Sequence, residues 1–327
     1  MLKCFPALVV LAGVAPGAAV AQQALFSNAS GSPSVPALGQ SAVTANGVPA
    51  PSSGAWSEVQ APSAMEGNAL AGIACQSDSS GGVRVADNFT VPAGESWSLG
   101  QTHLYIYDPD ATGVGSPVVG ATLRIWYGEP GAGGQIVWGD AVTDRLTSAT
   151  ATNIYRVFNT EVGPTIAGPD ATRRVFDVVL DSQTTLVPGD YWLDWQLTPT
   201  TPGAWLFAVP ATLANVRTLA AWNALQFQEG AWHRVLDSGK PATAVDVPLD
   251  IAFMISGVPG TACDSIDFNG DSILPDTEDI ADFLAVFAGG MCPTGACGDI
   301  DFNNDSLFPD TQDIASFLSV FAGGPCV

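Results

Sequence analysis

The chain has 327 residues, only ten of them Lys or Arg, and a formal net charge of −22 at pH 7. This excess of carboxylates excludes nucleic acid as a partner, because the few basic side chains cannot neutralise a phosphate backbone. After the first 21 residues, no stretch approaches the ~18 uninterrupted apolar residues of a membrane helix, so no transmembrane segment is predicted.

The first 21 residues have the three parts of a secretory signal peptide. Lys3 supplies the basic residue, an apolar run from Phe5 to Ala15 follows, and small residues end at Ala21 as in an A-x-A cleavage site. The sequence therefore predicts a protein that is secreted to the extracellular space or the cell surface. Residues 22–54 are rich in Ala, Ser, Pro and Gly, with Phe26 as the one aromatic residue, and are predicted to be a flexible low-complexity segment.

Residues 55–256 consist of short β-type runs separated by Gly, Pro, Asp and Asn. Eight of these runs are Val83–Val91, Thr102–Tyr107, Ala121–Tyr127, Ile154–Phe158, Arg173–Leu180, Asp190–Leu197, Trp232–Leu236 and Val247–Ile255. Strands at this spacing are typical of an antiparallel β-sandwich, of the jelly-roll or the immunoglobulin-like kind. Residues 257–262 are predicted to be a short linker.

No catalytic motif stands out in the β-rich region. His103 and His233 are interpreted as ordinary strand residues, because no zinc-ligand spacing accompanies them. Two carboxylates could still make a hydrolase of O-glycosyl bonds, but nothing singles out a pair among the six Glu residues before the linker. The catalytic residues are therefore unknown. A binding or structural role is predicted, with a polysaccharide-degrading glycoside hydrolase as the alternative.

All nine tryptophans precede the linker, and most are expected in the core. If Leu193 and Trp195 face inward, strand alternation turns Trp192 outward together with Asp194. A Trp beside an Asp would suit a sugar ring, and Trp126 is turned outward by the same rule.

Cysteine usage fits an oxidising compartment. Cys75 is expected to be a buried thiol, and four further cysteines cluster at the C-terminus as two disulfides. The internal two-fold of that region allows two pairings, either Cys263–Cys292 with Cys297–Cys326 or Cys263–Cys326 with Cys292–Cys297. Pairing within each unit is the expectation.

Residues 263–292 and 297–326 are two copies of one unit, identical at 21 of 30 aligned positions. Each copy opens with an acidic loop, DFNGD or DFNND, whose positions 1, 3 and 5 carry oxygen side chains. In EF-hand loops, side chains at this spacing converge on a hard cation. Residues 263–327 contain twelve carboxylates and no Lys or Arg. This charge would repel itself unless cations lay among the acids.

Each loop needs further ligands after position 5. Position 7 is apolar and can offer only its backbone carbonyl, and a carboxylate is needed near position 12. Glu278 and Asp279 both qualify in the first copy, but Gln312 and Asp313 stand there in the second, so position 13 is predicted in both. The complete predicted set also includes the aspartate before each helix and consists of Asp267, Asn269, Asp271, Ile273, Asp276, Asp279, Asp301, Asn303, Asp305, Leu307, Asp310 and Asp313.

A short helix is predicted after each loop. Its apolar residues recur at i, i+3, i+4 and i+7, and the two resulting stripes are predicted to pack on each other. These stripes are Ile280, Phe283, Leu284 and Phe287 in the first copy and Ile314, Phe317, Leu318 and Phe321 in the second. Position 6, where EF-hand loops need positive φ and favour Gly, is Ser272 or Ser306, which would cost about 1 to 2 kcal/mol.

Two acidic loop-helix units in tandem, with no entering helix, resemble a bacterial type I dockerin. The motif D-F-N-x-D-S-x-x-P-D-T-x-D-I with the ending F-A-G-G-x-C resembles, more narrowly, the Gly-Cys-ended dockerins of secreted proteins. The resemblance covers residues 263–327. It implies two bound Ca²⁺ ions and a cohesin-like partner domain that contacts the exposed helix faces. Because dockerins often accompany polysaccharide-degrading enzymes, it also implies polysaccharide as a second partner.

Overall fold

The computed structural model describes residues 22–28, 33–45, 47–51, 54–59, 67–78, 82–111, 115–157, 173–273, 275–304, 307–322 and 326. Within these ranges the chain is mainly β, and its two helices both lie after residue 262. The predicted signal peptide and the predicted ligand Asp305 lie outside the described residues.

Strands account for most of the described chain before residue 262. In chain order they are β1 (Gln23–Ser27), β2 (Gln40–Ser41), β3 (Ala55–Ser57), β4 (Ile73–Ala74), β5 (Arg84–Val91), β6 (Glu95–Tyr107), β7 (Val118–Tyr127), β8 (Gln135–Gly139), β9 (Leu146–Arg156), β10 (Arg174–Leu186), β11 (Gly189–Pro199), β12 (Phe207–Ala208), β13 (Leu225–Gln228), β14 (Ala231–Arg234), β15 (Leu236–Asp237), β16 (Val247–Pro248) and β17 (Phe253–Thr261). Each of the eight runs predicted from the sequence overlaps at least one of these strands.

The strands form two large sheets and a small one. The first large sheet runs β1-β17-β6-β10-β9-β3-β2, and β12 joins β6 to β4 at one side of it. The second runs β14-β13-β5-β11-β7-β8, and β15 pairs with β16 alone. Pairing is antiparallel throughout the described strands except between β3 and β9. The prediction of a mainly β chain with antiparallel sheets is confirmed.

The two large sheets share one hydrophobic core. Along β11, Tyr191, Leu193 and Trp195 point into this core, as strand alternation requires, and Leu104 and Val178 of the first sheet meet them from the other side. Two sheets that bury their inner faces against one another have the arrangement of a β-sandwich.

The prediction of a flexible segment at residues 22–54 is wrong for its described parts. Strand β1 pairs with β17 in the first sheet. The Phe26 ring lies 5.9 Å from that of Phe89 and 5.2 Å from that of Phe253, and Leu38 is fully buried. A few apolar side chains fill gaps in the core here, although the surrounding composition is that of a low-complexity sequence.

The prediction of a linker at residues 257–262 is also wrong. Strand β17 continues to Thr261 and pairs with β6 over its whole length. Pro259 is tolerated there because β1 pairs with β17 only as far as Gly257, which leaves β17 an edge strand beyond that point. The Ala262 N–H then donates to the Gly94 carbonyl oxygen at 3.1 Å, so the C-terminal module begins directly at the sheet.

The outer face of the second sheet carries Trp192 and Asp194, as alternation predicts. Trp192 is nevertheless only 4% exposed, because it packs in a second apolar cluster with Trp126. Asp194 is fully buried and pairs with Arg84 at 3.2 Å and with Arg124 at 3.4 Å. The interpretation of Trp192 as a platform for a sugar ring is therefore wrong, since its ring is covered.

Cys75 is buried in the main core, which confirms the expectation of a buried thiol. Its Sγ lies 3.5 Å from the Leu206 carbonyl oxygen. Burial raises the pKa of the thiol to about 12, so the reactive thiolate is absent at neutral pH.

Candidate metal centre

Helices α1 (Thr277–Phe287) and α2 (Thr311–Phe321) begin with the same cap. Asp276 accepts hydrogen bonds from the backbone N–H groups of Glu278 and Asp279, and the Asp279 carboxylate accepts one in return from the Asp276 N–H. Asp310 and Asp313 repeat this capping box in the second unit. The acids satisfy N–H groups that the first helical turn leaves unpaired, and they lie at the positive end of the helix dipole.

The two units pack through aromatic rings. Four rings are almost fully buried, those of Phe268, Phe283, Phe302 and Phe317. The Phe283 and Phe317 rings, one from each helix, stack at 4.0 Å, so the prediction that the two stripes pack on each other is confirmed for these positions. It is wrong for Leu284 and Leu318, which are 44% and 50% exposed. Each leucine lies at the margin of its helix stripe, where the small four-ring core does not reach.

The first loop is wound by hydrogen bonds from backbone N–H groups to its own acidic side chains. The Asp267 carboxylate accepts from Asp271 at 3.0 Å and from Ser272 at 2.9 Å. Asn269 Oδ1 accepts from the Asp271 N–H at 3.0 Å, and Asp271 Oδ1 from the Ile273 N–H at 2.7 Å. Ser272 has a φ of +69°. The loop therefore makes the left-handed turn that EF-hand loops make at position 6, without the glycine that would relieve it.

Three carboxylates of the first unit converge. Asp271, Asp276 and Glu278 each present an oxygen atom, and these oxygens lie within 4.8 Å of one another. No Lys or Arg occurs in residues 263–327, so no basic side chain of the module can neutralise them. Carboxylate and carbonyl oxygens are the ligands that Ca²⁺ prefers, and the donor set present therefore fits this ion.

Asp279, the predicted ligand at position 13, has a different environment. Its side chain is fully buried, and its oxygens accept from the N–H groups of Phe268 at 2.9 Å, Asn269 at 3.4 Å and Asp276 at 3.0 Å. Three backbone donors leave little of the carboxylate for a two-oxygen grip on an ion. Of the two candidates weighed from the sequence, Glu278 lies with the other converging carboxylates. The choice of position 13 stays a prediction.

The second loop places its described ligands in a similar way. Asp301 and Asn303 are buried. The apolar side chains of Leu307 and Ile273 are exposed, and each residue has only its backbone carbonyl oxygen as a predicted metal ligand. Asp313 is fully buried, and its Oδ2 accepts from the Asp310 N–H at 2.9 Å. Its Oδ1 has no hydrogen-bond partner within the described part of the chain. A buried carboxylate oxygen without a donor is costly unless a cation approaches it.

The disulfides do not follow the expected pairing within each unit. Cys263 is bonded to Cys326 and Cys292 to Cys297, with Cα–Cα distances of 5.5 and 5.8 Å. Packing of the two helices side by side brings the first and last cysteines of the module together, and the short connection between the units closes on itself. This pairing also obeys the internal two-fold, and it removes Cys292 and Cys297 as metal ligands beside Asp282.

The sandwich offers no comparable cluster among its described residues. His103 in β6 lies 3.1 Å from both carboxylate oxygens of Asp177, and His233 lies in β14, so both are strand residues as interpreted. The Trp97 indole N–H donates to Glu95 at 2.7 Å, and Glu129 pairs with Arg234.

No family model matches the chain, and no curated protein matches it. Among the described residues, neither helix is long and apolar enough to cross a membrane. The two disulfides fit an extracellular protein.

We expect Asp279→Asn to lower the free energy of unfolding of the module by about 2 kcal/mol in EDTA, because it unpairs buried N–H groups and weakens a helix cap. Glu278→Gln, at an exposed position, should change that stability little. Urea unfolding followed at 222 nm measures both effects. If position 13 is the ligand, Glu278→Gln also keeps its calcium affinity. A tenfold loss of calcium affinity in Glu278→Gln would instead show that the ligand is Glu278, at position 12.

Proposed function

We propose that this is a secreted protein whose residues 263–327 form a calcium-binding, dockerin-type module that docks the β-sandwich onto an extracellular partner. By resemblance, that partner is a cohesin-like domain. In this proposal the sandwich, of jelly-roll or immunoglobulin-like kind, is the carried binding or structural part.

The convergence of Asp271, Asp276 and Glu278 carries the proposal. Residues 263–327 hold a net charge of −12, from twelve carboxylates and no basic residue. Bound Ca²⁺ would supply the missing positive charge. The loop side chains are already turned inward by their hydrogen bonds to the loop backbone, so little conformational entropy remains to be lost on binding.

The duplication also gives the module two equivalent exposed apolar positions. Leu284 and Leu318 lie at the same place in their helices and are both about half exposed. Ile273 and Leu307 form a second equivalent pair, 62% and 66% exposed. Exposed apolar side chains that repeat with the internal symmetry are a suitable surface for a protein partner.

Calorimetric titration of calcium into the EDTA-treated full chain tests the proposal. We expect two ions per chain, and loss of both in the variant with Asp267→Asn and Asp301→Asn, since each substitution removes the negative charge of the ligand at position 1 of one loop. A variant with Asp246→Asn and Glu229→Gln makes the same change in net charge at exposed positions of the sandwich and should bind as the parent does. Absence of binding to the parent chain, or equal loss in both variants, would contradict the proposal.

A further inference from the structure

Trp205 differs from the other tryptophans of the chain. All nine lie among the described residues, and Trp205 alone is exposed, at 53%. An exposed indole is a large apolar surface left in water, and such surfaces often mark binding sites.

The Trp205 ring is supported by two stacked aromatic rings. It stacks on the Phe207 ring at 6.0 Å and an interplanar angle of 13°, and Phe207 stacks on the Tyr107 ring at 5.4 Å and 21°. Tyr107 is 2% exposed. Gly72 permits this packing, because a Cβ atom at that position would lie 2.8 Å from Phe207 and 2.9 Å from Tyr107. The exposed ring therefore has a rigid base in the core.

Phe207 also lines a cleft of about 440 Å³, a size within the range of small-ligand sites. The register of the β13–β14 hairpin pairs Gln226 with His233 and Gln228 with Ala231, so the Gln226, Gln228 and His233 side chains share one face of the hairpin. All three residues line the cleft. The opposite face of the hairpin is occupied by the cluster around Trp192.

The polar lining of the cleft is largely neutral. Gln226 is oriented by a hydrogen bond from its Nε2 to the Ala74 carbonyl oxygen at 2.8 Å. Within the described part of the chain, the side chains of Gln228 and His233 make no hydrogen bond. Arg234 also lines the cleft, but its guanidinium is paired with Glu129. Amide and imidazole groups beside an aromatic surface can donate to and accept from hydroxyl groups.

We propose that Trp205, Phe207 and the polar face of the β13–β14 hairpin form a binding site for a neutral polysaccharide. A pyranose ring has an apolar C–H face that suits the electron-rich face of an indole, and a rim of hydroxyls that suits amide and imidazole groups. The net charge of −22 disfavours acidic polymers. This site belongs to the sandwich and requires neither calcium nor docking.

Retention of the full chain on insoluble cellulose, xylan, mannan, chitin and starch, at pH 7 and in EDTA, tests the site. We expect retention on at least one polymer, and an affinity about tenfold lower for Trp205→Ala. Trp205→Phe should recover part of the loss, and His233→Ala should weaken binding about threefold through one lost hydrogen bond. Tyr127→Ala is the matched control, since Tyr127 has the same 53% exposure but lies in β7, which β5 and β11 separate from the β13–β14 hairpin.

Thermal unfolding of each variant checks that the fold is intact. The proposal is overturned if the parent chain is retained on none of the five polymers, or if Trp205→Ala is retained as well as the parent. It is also overturned if Tyr127→Ala loses as much affinity as Trp205→Ala. Because the measurement is made in EDTA, its failure is distinguishable from failure of the calcium titration.

Discussion

Replacing Cys263 and Cys326 by Ser is expected to lower the free energy of unfolding of the C-terminal module by about 4 kcal/mol, against about 2 kcal/mol for the same replacement of Cys292 and Cys297. A crosslink removes more entropy from the unfolded chain when it closes a longer loop, and the two disulfides span sequence separations of 63 and 5 residues. Among its described residues, the module also has only four buried rings as its core, so it depends on such crosslinks more than a large domain does.

Urea unfolding of the two double variants, followed at 222 nm, measures the difference. The described sandwich contains no α-helix, so the helical signal reports on the module. The parent chain under oxidising conditions is the reference, and the Cys292/Cys297 variant controls for the introduction of two serines. Equal losses, or a larger loss in the short-loop variant, would contradict the expectation.

More of the C-terminal module than of the sandwich could be predicted from the sequence, because the module contains two copies of one unit that can be compared position by position. The repeat predicted the two helices and the packing of their apolar stripes, which includes the stacked Phe283 and Phe317. It gave the aspartate before each helix only as a metal ligand, and the capping role is seen only in the structure. It could not choose between the two disulfide pairings, since both obey the same two-fold. The hydrogen bonds of Asp279 could not be predicted either, because they depend on how the loop backbone turns back toward the helix.

In the sandwich, strand alternation placed individual side chains correctly along β11, which has a neighbouring strand on each side. With Leu193 and Trp195 assumed to face inward, it gave the outward direction of Trp192 and Asp194. It could not show that Trp192 is covered, since the covering side chain of Trp126 comes from another strand. Composition failed at the two ends, where β1 and the Gly-Val-Pro-Gly end of β17 pair with strands distant in sequence.

The signal for Trp205 was weaker still. It follows an irregular stretch and precedes the two-residue strand β12, so no period marks its face. Its place above Phe207 and Tyr107 depends on β12 pairing with β6, residues 100 positions earlier in the chain. Only the folded structure shows which of the nine tryptophans remains in contact with water.

A pair of buried carboxylic acids lies inside the sandwich. Asp87 alternates with Val85 and Phe89 on the inner face of β5 and is fully buried. The Nδ2 atom of Asn28, next to β1, lies 3.2 Å from Asp87 and 3.4 Å from Asp250. Burial, followed by the charge of Asp250, raises the pKa of Asp87 well above its usual range. Burial raises the pKa of Asp250 to about 6.

This pair makes the stability of the sandwich depend on pH. The pKa of Asp250 is about 6 in the folded chain against 3.8 for the unfolded reference, so the folded state favours the protonated acid. The resulting stabilisation is fully present below pH 3.8 and is lost as the pH rises through 6. The difference of about 2 pKa units corresponds to about 3 kcal/mol.

Between pH 4 and pH 8, the free energy of unfolding is therefore expected to fall by about 3 kcal/mol less in Asp250→Asn than in the parent chain. Burial still raises the pKa of Asp87 in this variant, but the second cause, the charge of Asp250, is gone. The N–H donors of Ile251 at 2.7 Å and Asn88 at 2.8 Å remain and favour the charged form. Urea unfolding at several pH values, followed by tryptophan fluorescence, reports on the sandwich because all nine tryptophans lie in it. The exposed Asp246→Asn serves as the control and should leave the slope unchanged. Parallel stability curves for the parent and Asp250→Asn would show that the pair does not carry the proton inferred from its burial.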